Sequence, residues 1–328
     1  MELPSLEELG AAARIVYRSM LPTPTHAWPL LRERMGTPIY LKHENHTPVG
    51  AFKIRGGLVY FDALRAREPG CTGVICATRG NHGQSVGLAA RRAGLAATIV
   101  VPRGNSVEKN AAMRALGVTL IEHGDDFQAS REHAQALAQA QGLHMVPSFH
   151  RDLLLGVASY WLEFFSAVPK LDTVFVPIGQ GSGICAAIAA RKAMGLRCKI
   201  VGVVSAQAPA YALSFAARRA IDAPVTTEIA DGMACRVPDP QALALILEHV
   251  DDIVQVSDDE VGAAMKQLFV DTHNVAEGAG AAAFAAAYKI RARLQGQTVG
   301  AVVSGGNVDH DVFARVLLQG ESARAAAA

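Results

Sequence analysis

The chain has 328 residues and is 50% hydrophobic, enough apolar material for a large core, and this length suggests two lobes. The 31 basic and 30 acidic residues nearly cancel, and a net charge of +1 argues against nucleic acid or an anionic membrane as a partner. Residues 1–20 lack a signal-peptide pattern and no apolar run is long enough to span a bilayer, so we expect a cytoplasmic protein.

Short apolar, β-branched runs alternate with alanine-rich helical stretches along the chain. This alternation predicts an α/β fold with parallel sheets covered by helices. The alanine tail "ARAAAA" is expected to fray. The predicted strands are 73–78, 97–102, 118–124, 173–179, 199–204, 252–257 and 298–306, and the predicted helices are 84–94, 107–117, 127–142, 184–195 and one that Ser257 caps.

The first unusual segment is "ENHTPVGAFKIRGG", residues 44–57, in which Lys53 follows Phe52 and precedes a glycine-rich run. A surface loop with a solvated lysine is the simpler interpretation. The alternative is a nucleophilic amine, because Phe52 would exclude water and desolvation lowers the pKa of a lysine. Lys42 lies nearby in "IYLKHE", where strand alternation predicts a solvated side chain.

Three glycine-rich loops each follow a predicted strand and precede a helix or turn: "ATRGNHGQS" (77–85), "PIGQGSGIC" (177–185) and "SGGNVD" (304–309). Each could be a tight turn without a ligand. Ligands bind at the carboxyl ends of strands in open α/β sheets, where unpaired N–H groups face an anion. An imine-forming lysine near a phosphate site suggests pyridoxal phosphate.

In order and spacing, these segments resemble the fold-type II pyridoxal-phosphate enzymes, in particular the serine/threonine dehydratase and serine racemase branch. "IADGMA" (229–234) and "VAEGAGAAA" (275–283) extend the resemblance, which covers about Pro38 to Asp309. It implies a two-lobed fold like that of the tryptophan synthase β chain and a homodimer. The small lobe would be residues 44–143, inserted in a large lobe made of 1–43 and 144–328.

The resemblance also implies a role for each matching residue. Lys53 would bind the cofactor aldehyde as an imine and later move the α-proton, and Ser304 would meet the pyridine nitrogen. The cofactor-binding residues would be Phe52, Lys53, Asn81, Gly179, Gln180, Gly181, Ser182, Gly183, Gly232, Glu277 and Ser304, and the substrate carboxylate would meet Thr78, Gly80, Asn81 and His82. Arg79, within the same loop, is a further candidate for substrate binding.

The implied reaction is elimination of water from a 3-hydroxy amino acid, which yields a 2-oxo acid and ammonia. A serine beside the pyridine nitrogen cannot protonate it as a carboxylate would, so the resemblance favours prompt loss of the β-hydroxyl over transamination. Threonine and serine are the default substrates. Racemisation, β-replacement and a binding protein without turnover are the alternatives.

Departures from the family pattern concern the substrate more than the cofactor. Arg79 stands where dehydratases commonly carry alanine or serine, and a guanidinium is a poor acid–base group, which argues against racemisation. Arg79 could bind a carboxylate or stack on an aromatic ring, so phenylserine and 3-hydroxyaspartate stay open. "GVAS" (156–159) replaces a common Gly-Gln-Gly-Thr, and "GQGSG" replaces a run of four glycines.

Two further features bear on metals and regulation. Val204 stands where some relatives carry a metal-binding Glu, and the five cysteines include no CxxC pair, so we expect reduced thiols and no metal site. The chain ends soon after residues 304–309, so we expect no C-terminal regulatory domain of the kind found in biosynthetic threonine dehydratases.

Overall fold

The computed structural model describes residues 1–318; the alanine tail lies outside them. The strands are β1 (Thr25–Ala27), β2 (Ile39–His43), β3 (Gly73–Ala77), β4 (Ala96–Val101), β5 (Thr119–Glu122), β6 (His144–Met145), β7 (Thr173–Pro177), β8 (Lys199–Ser205), β9 (Asp252–Val256) and β10 (Val299–Val303). All seven predicted strands are present, which confirms the alternating pattern.

The α-helices are α1 (Leu6–Tyr17), α2 (Pro29–Met35), α3 (Lys53–Arg67), α4 (Asn81–Arg92), α5 (Val107–Ala115), α6 (Phe127–Gln141), α7 (Arg151–Ala167), α8 (Ser182–Ala193), α9 (Ala210–Ala217), α10 (Pro240–His249), α11 (Asp258–Thr272), α12 (Gly278–Lys289) and α13 (His310–Leu318). Short 3-10 segments cover Glu44–His46, Asp231–Met233 and Arg291–Leu294. Ser257 caps α11 in a capping box with Glu260, as its sequence predicted. None of the helices in residues 1–318 combines the length and apolar character that crossing a bilayer requires.

The strands form two sheets. The larger sheet has the order β1-β2-β10-β7-β8-β9, and the smaller one has the order β5-β4-β3-β6. Every pairing is parallel except that of β1 with β2. These mostly parallel sheets with helical covers confirm the predicted fold class. The lobe boundaries stay a prediction, and β6, which pairs with β3, lies just beyond residue 143.

Alternation along the buried strands builds a core on each face of the larger sheet. Val174 and Val176 of β7 belong to the core that includes α7 and α8, whereas Phe175 belongs to the core that includes α11 and α12. Parallel strands buried on both faces read as continuous apolar runs, which is why the sequence made them visible. The carboxyl ends of these strands are therefore held rigidly where the glycine-rich loops begin.

The prediction for Lys42 is wrong. Lys42 is fully buried, and its ammonium donates to Glu163 Oε2 over 2.5 Å and to the carbonyl of Thr23 over 2.7 Å. Helix α7 supplies Glu163 on the face of β2 that carries Lys42, and Leu41 on the opposite face is also fully buried, so neither face of β2 is open to water at this point. Burial lowers the pKa of Lys42, while the Glu163 carboxylate opposes that shift.

Arg55 extends this contact into a buried ion cluster beneath the start of α3. Its guanidinium donates to Glu44 Oε2 over 2.7 Å and to Glu163 Oε1 over 2.6 Å, and all of the Arg55 side chain is shielded from solvent. Burial disfavours the guanidinium charge, but the Glu44 and Glu163 carboxylates outweigh burial and raise the pKa of Arg55. The cluster fixes the helix that begins with Lys53.

Helices α3 and α7 approach each other backbone to backbone. A Cβ built on Gly156 of α7 would lie 2.1 Å from the carbonyl oxygen of Arg55, and one built on Gly56 of α3 would lie 2.8 Å from that of Leu153. Only glycine fits at both positions. The all-glycine contact explains why the "GVAS" segment keeps a glycine at its first position.

Candidate active site

The loops after β3, β7 and β10 and the start of α3 line one pocket of about 120 Å³. The structure brings together every residue that the sequence pointed to. The predicted residues that line the pocket are Phe52, Lys53, Thr78, Arg79, Gly80, Asn81, His82, Gly179, Gln180, Gly181, Ser182, Gly183, Gly232, Glu277 and Ser304.

Lys53 is the first residue of α3, and its side chain lines the pocket. Its Nζ donates to Ser182 Oγ over 3.0 Å and lies 5.0 Å from the centre of the Phe52 ring. The side chain keeps some accessible surface because it lines the pocket, but burial by the surrounding protein lowers its pKa to about 8. Lys53 is therefore a markedly better nucleophile near neutral pH than an exposed lysine.

Gly181 and Ser182 begin α8 opposite Lys53. Gly181 caps the helix with a φ of 99°, in the left-handed region, and a Cβ there would lie 2.5 Å from the Cβ of Ala242. The first turn of a helix leaves backbone N–H groups unpaired, and the helix dipole adds positive potential. This 12-residue helix therefore presents donors to an anionic group beside the lysine.

Helix α4 begins at Asn81 and forms a second donor edge. Gly80 precedes it with a φ of 153°, and the Gly80 N–H donates to Thr78 Oγ1 over 2.9 Å. His82 is buried with its Nε2 unpartnered, and burial, with Lys53 close by, lowers the pKa of His82 to about 3. His82 is thus neutral at physiological pH, as expected of a packing residue rather than a proton carrier.

Arg79 lies at the border between the pocket and a second, larger cleft. Its Nε is buried without a hydrogen-bond partner, and Arg79 forms no ion pair within residues 1–318. The adjoining cleft has a volume of about 840 Å³ and shares Arg79, Phe127 and Ser148 with the pocket. Arg79 is half-buried, and no hydrogen bond or ion pair within residues 1–318 occupies its guanidinium, so this group can donate to a ligand.

Ser304 is tied to the segment before Lys53 by main-chain hydrogen bonds. The Phe52 N–H donates to the Ser304 carbonyl over 3.1 Å, and Ala51 forms an isolated antiparallel bridge with Gly305. The Ser304 hydroxyl donates to the carbonyl of Ala279 over 3.2 Å. Backbone hydrogen bonds therefore determine the distance between the segment before Lys53 and Ser304.

The sequence reasoning missed Lys109 and Asp231, which also line the pocket. Lys109 Nζ donates to Asp231 Oδ2 over 2.7 Å and lies 3.0 Å from Glu277 Oε2. Burial disfavours the ammonium, but the Glu277 and Asp231 carboxylates outweigh burial and raise the pKa of Lys109. Asp231 stands inside the "IADGMA" segment, so that motif could have identified it, whereas no sequence signal identifies Lys109.

All five cysteines lie within the described residues and are free thiols. Burial raises the pKa of Cys76 and Cys185, so these thiols are protonated and unreactive. Cys235 borders the pocket through a 3.4 Å contact with the Gln180 amide. Four of the five cysteines therefore serve as small buried packing residues, and Cys71 is half-buried.

The chain that forms this pocket matches a known protein family. Residues 16–305 match the family described as "Pyridoxal-phosphate dependent enzyme". An L-threonine ammonia-lyase from Thermotoga maritima is 33% identical over 317 residues, which is 96% of this chain and 79% of that protein. A biosynthetic L-threonine dehydratase from Pasteurella multocida is 33% identical over 298 residues, which is 90% of this chain and 58% of that protein.

The solved structures agree in fold. The structure of maize serine racemase has a TM-score of 0.89 and 25% identity, and the match covers 99% of this chain and 100% of the racemase. The chain spans about three-fifths of the length of the biosynthetic dehydratases that it matches. The same fold thus carries proteins named for two different reactions.

Proposed function

The chain belongs to the pyridoxal-phosphate dependent enzyme family, and from that membership we propose that it is an ammonia-lyase. The reaction is elimination of water from a 3-hydroxy amino acid, which gives a 2-oxo acid and ammonia. Threonine and serine are the default substrates, because the relatives at 33% identity are named for threonine. The single observation that carries the proposal is the Lys53 amine. It is shielded from solvent, forms no ion pair with a carboxylate within residues 1–318, and lies beside the first residue of α8.

The residues present fit the cofactor. Lys53 offers an amine to its aldehyde, the first turn of α8 from Gly181 to Gly183 offers N–H groups to its phosphate, and Phe52 offers an aromatic face to its ring. Asn81 and Ser304 offer polar groups on the remaining sides of the pocket. Gly179, Gln180, Gly232 and Glu277 complete the wall.

Bound pyridoxal phosphate supplies an aldehyde that captures amines and a ring that accepts charge from the substrate Cα. Lys53 then acts as the base at Cα. Its lowered pKa keeps a larger share of the amine neutral near pH 7 than an exposed lysine would have, so it can take the α-proton when the substrate is in place.

Ser304 favours elimination through its lack of charge. A serine hydroxyl would not protonate a pyridine nitrogen as a carboxylic acid could, so Ser304 would favour prompt loss of the β-hydroxyl over a long-lived charge on Cα. The leaving hydroxyl would need a proton, which the cofactor phosphate could supply. Ser304 now donates to the Ala279 carbonyl, so this hydroxyl would have to rotate to donate to an unprotonated ring nitrogen.

The start of α4 is the proposed site for the substrate carboxylate. Thr78 offers its hydroxyl hydrogen and Asn81 an amide N–H, while the Gly80 N–H orients the Thr78 hydroxyl by donating to its oxygen. The unpaired N–H groups and the dipole of α4 add to their effect. Binding the carboxylate at this edge would direct the substrate side chain toward Arg79 and the larger cleft.

Racemisation requires a second proton carrier on the face of the substrate opposite Lys53. Arg79 occupies the position at which racemases of this family carry their second proton carrier, a serine. A guanidinium stays protonated and cannot fill that role. We therefore place racemisation below elimination. Chiral chromatography of reaction mixtures tests this ranking, since formation of D-serine from L-serine at a rate comparable to elimination would reverse it.

The unpaired Arg79 and the 840 Å³ cleft support substrates with larger or acidic side chains. Phe127 lines both cavities and would contact an aromatic ring, as in phenylserine, while Arg79 would pair with a second carboxylate, as in 3-hydroxyaspartate. Arg79→Ala should change the ratio of activities on these substrates more than it changes cofactor binding. Unchanged ratios across the panel would refute this role.

The test of the whole proposal is release of 2-oxo acid from L-threonine, L-serine, phenylserine and 3-hydroxyaspartate by the purified holoenzyme. Activity on at least one of them, absent in Lys53→Ala, is the expected result. Addition of a thiol nucleophile tests β-replacement, because a thioether product formed in place of 2-oxo acid would favour that alternative. No turnover on any substrate would favour a binding protein.

The proposal includes three expectations, which concern the lobes, the oligomeric state and the cellular location. The lobes are residues 44–143 and residues 1–43 with 144–328, the protein acts as a homodimer, and it works in the cytoplasm. Light scattering on the purified holoenzyme tests the dimer, and a mass near 34.6 kDa would exclude it.

A further inference from the structure

Lys109 is a second lysine in the pocket wall, and its surroundings are the opposite of those of Lys53. Its ammonium lies between two carboxylates, those of Asp231 and Glu277, and its side chain is buried. Lys53 forms no ion pair within residues 1–318 and contacts only the Ser182 hydroxyl through its amine. Lys109 is therefore a fixed cation rather than a second nucleophile.

The contacts of Lys109 continue into the pocket. Glu277 Oε1 accepts from Asn81 Nδ2 over 2.5 Å, and Asn81 Oδ1 accepts from Asn307 Nδ2 over 2.9 Å. The amide of Asn81 is thus held at both its oxygen and its nitrogen, which defines its orientation. Asn81 lines the pocket, and the second N–H of its amide has no hydrogen-bond partner within residues 1–318.

We propose that Lys109 is a positioning residue for the cofactor: its ammonium fixes the carboxylate of Glu277, and Glu277 fixes the amide of Asn81. This inference rests on the proposed function, because it concerns the group that Asn81 would bind. Lys109 touches neither the substrate nor the reacting atoms in this scheme. It acts through Glu277.

The charge balance explains why Lys109 is needed. Burial raises the pKa of Glu277, and only Lys109 and the Asn81 amide oppose that shift, while Asp231 adds to it. Without the ammonium, Glu277 would bind a proton beside Asp231 and become a donor. A protonated Glu277 no longer requires the N–H of Asn81, so the amide can turn and the free N–H is lost to the pocket.

Lys109 also holds the loop that begins α4. Its Cδ would lie 2.4 Å from a Cβ built on Gly80, so the lysine stem packs directly on the backbone of the proposed carboxylate site. Lys109 belongs to the predicted small lobe, whereas Asp231 and Glu277 belong to the predicted large one. The same side chain therefore connects the two sides of the pocket.

The test is the dissociation constant of pyridoxal phosphate for the apoprotein, measured by absorbance titration, which needs no turnover. Lys109→Met should weaken binding about tenfold or more, because a buried acceptor loses its partner. Lys109→Arg should restore most of the affinity. The double variant Lys109→Met/Glu277→Gln should bind as Lys109→Met does, because a protonated Glu277 and a glutamine are both uncharged.

Lys170→Met, at an exposed position, is the matched control and should bind as the unaltered protein does. Wild-type affinity of Lys109→Met would overturn the proposal. A loss that Lys109→Arg does not restore, or a loss in the double variant equal to the sum of the losses in Lys109→Met and Glu277→Gln, would also overturn it, since either would indicate a packing role alone. If Lys109→Met does not fold, Glu277→Gln is measured in its place, and unchanged affinity there contradicts the proposal.

The outcome is separable from that of the proposed function. If the enzyme releases no 2-oxo acid from any substrate but the cofactor affinities follow the expected order, the proposed reaction fails and the positioning role of Lys109 stands. If elimination is found and the affinities do not follow that order, only the inference about Lys109 fails.

Discussion

The amine of Lys53 donates a hydrogen bond to the hydroxyl of Ser182 over 3.0 Å, which joins the first residue of α3 to the first residue of α8. Serine is uncharged, so this contact stabilises the ammonium form less than a carboxylate would. Burial therefore dominates and lowers the pKa of Lys53. The geometry places a partly neutral amine beside an anion-binding helix terminus.

The site of covalent attachment follows from this arrangement. Borohydride reduction of the holoenzyme should fix the cofactor on the peptide that contains Lys53, and peptide mass spectrometry should find it there. Lys42 and Lys109 should stay unlabelled, because carboxylates hold both as ammonium ions. Label on either of those peptides would defeat the assignment.

The rate of cofactor attachment should depend on pH with a midpoint near 8. Only the neutral amine attacks an aldehyde, and the pKa of Lys53 is lowered to about 8, so the neutral fraction rises about tenfold per pH unit below that value. Stopped-flow absorbance after mixing apoprotein with pyridoxal phosphate should show a rate that levels off above about pH 8. A rate that still rises toward pH 10 would indicate an ordinary, solvated lysine.

Arg55→Met should destabilise the protein by about 3–5 kcal/mol, because it leaves the buried Glu44 carboxylate without its cation and leaves Glu163 with Lys42 alone. Urea denaturation monitored by circular dichroism measures the change in the free energy of unfolding.

The control for Arg55 is Arg103→Ala, since Arg103 pairs with Asp125 on the surface with side chains 64% and 93% exposed. Breaking this exposed pair should cost about 1 kcal/mol or less. Equal changes in the free energy of unfolding would show that the buried cluster stabilises the protein no more than the surface ion pair does.

Gly156→Ala should displace α3 and with it Lys53. The new methyl group would meet the Arg55 carbonyl at 2.1 Å, so the helices must separate, at a cost of about 1–3 kcal/mol. Both the melting temperature and the affinity for pyridoxal phosphate should fall. Gly70→Ala is the matched control, because no atom lies within 4 Å of that position, and it should change neither quantity.

The strands and their exit loops could be predicted from the sequence because buried parallel strands are continuous apolar runs. Helix α3 could not: Lys53 to Gly57 looked like part of a tight loop, since Gly56 and Gly57 weaken a helix. In the structure Gly56 meets Leu153 and Gly57 meets Ser85, so close packing against α7 and α4 outweighs the low propensity.

The pocket residues on loops were predictable, and the ion pairs were not. Lys42 was assigned to solvent by alternation, yet its partner Glu163 is 121 residues away in sequence. Likewise, Lys109 and Asp231 are 122 residues apart. Local pattern carries no information on such distant pairs, and a charged residue in a strand or helix is ordinarily exposed.

The backbone bridge between residues 50–52 and 304–306 has a consequence for how this scaffold can diversify. Peptide groups, not side chains, determine the separation of Lys53 and Ser304, so most substitutions leave that spacing intact. The loop with Arg79 and the residues around the larger cleft belong to other elements and can change independently. New substrate preferences can thus arise by mutation without realignment of the chemical groups.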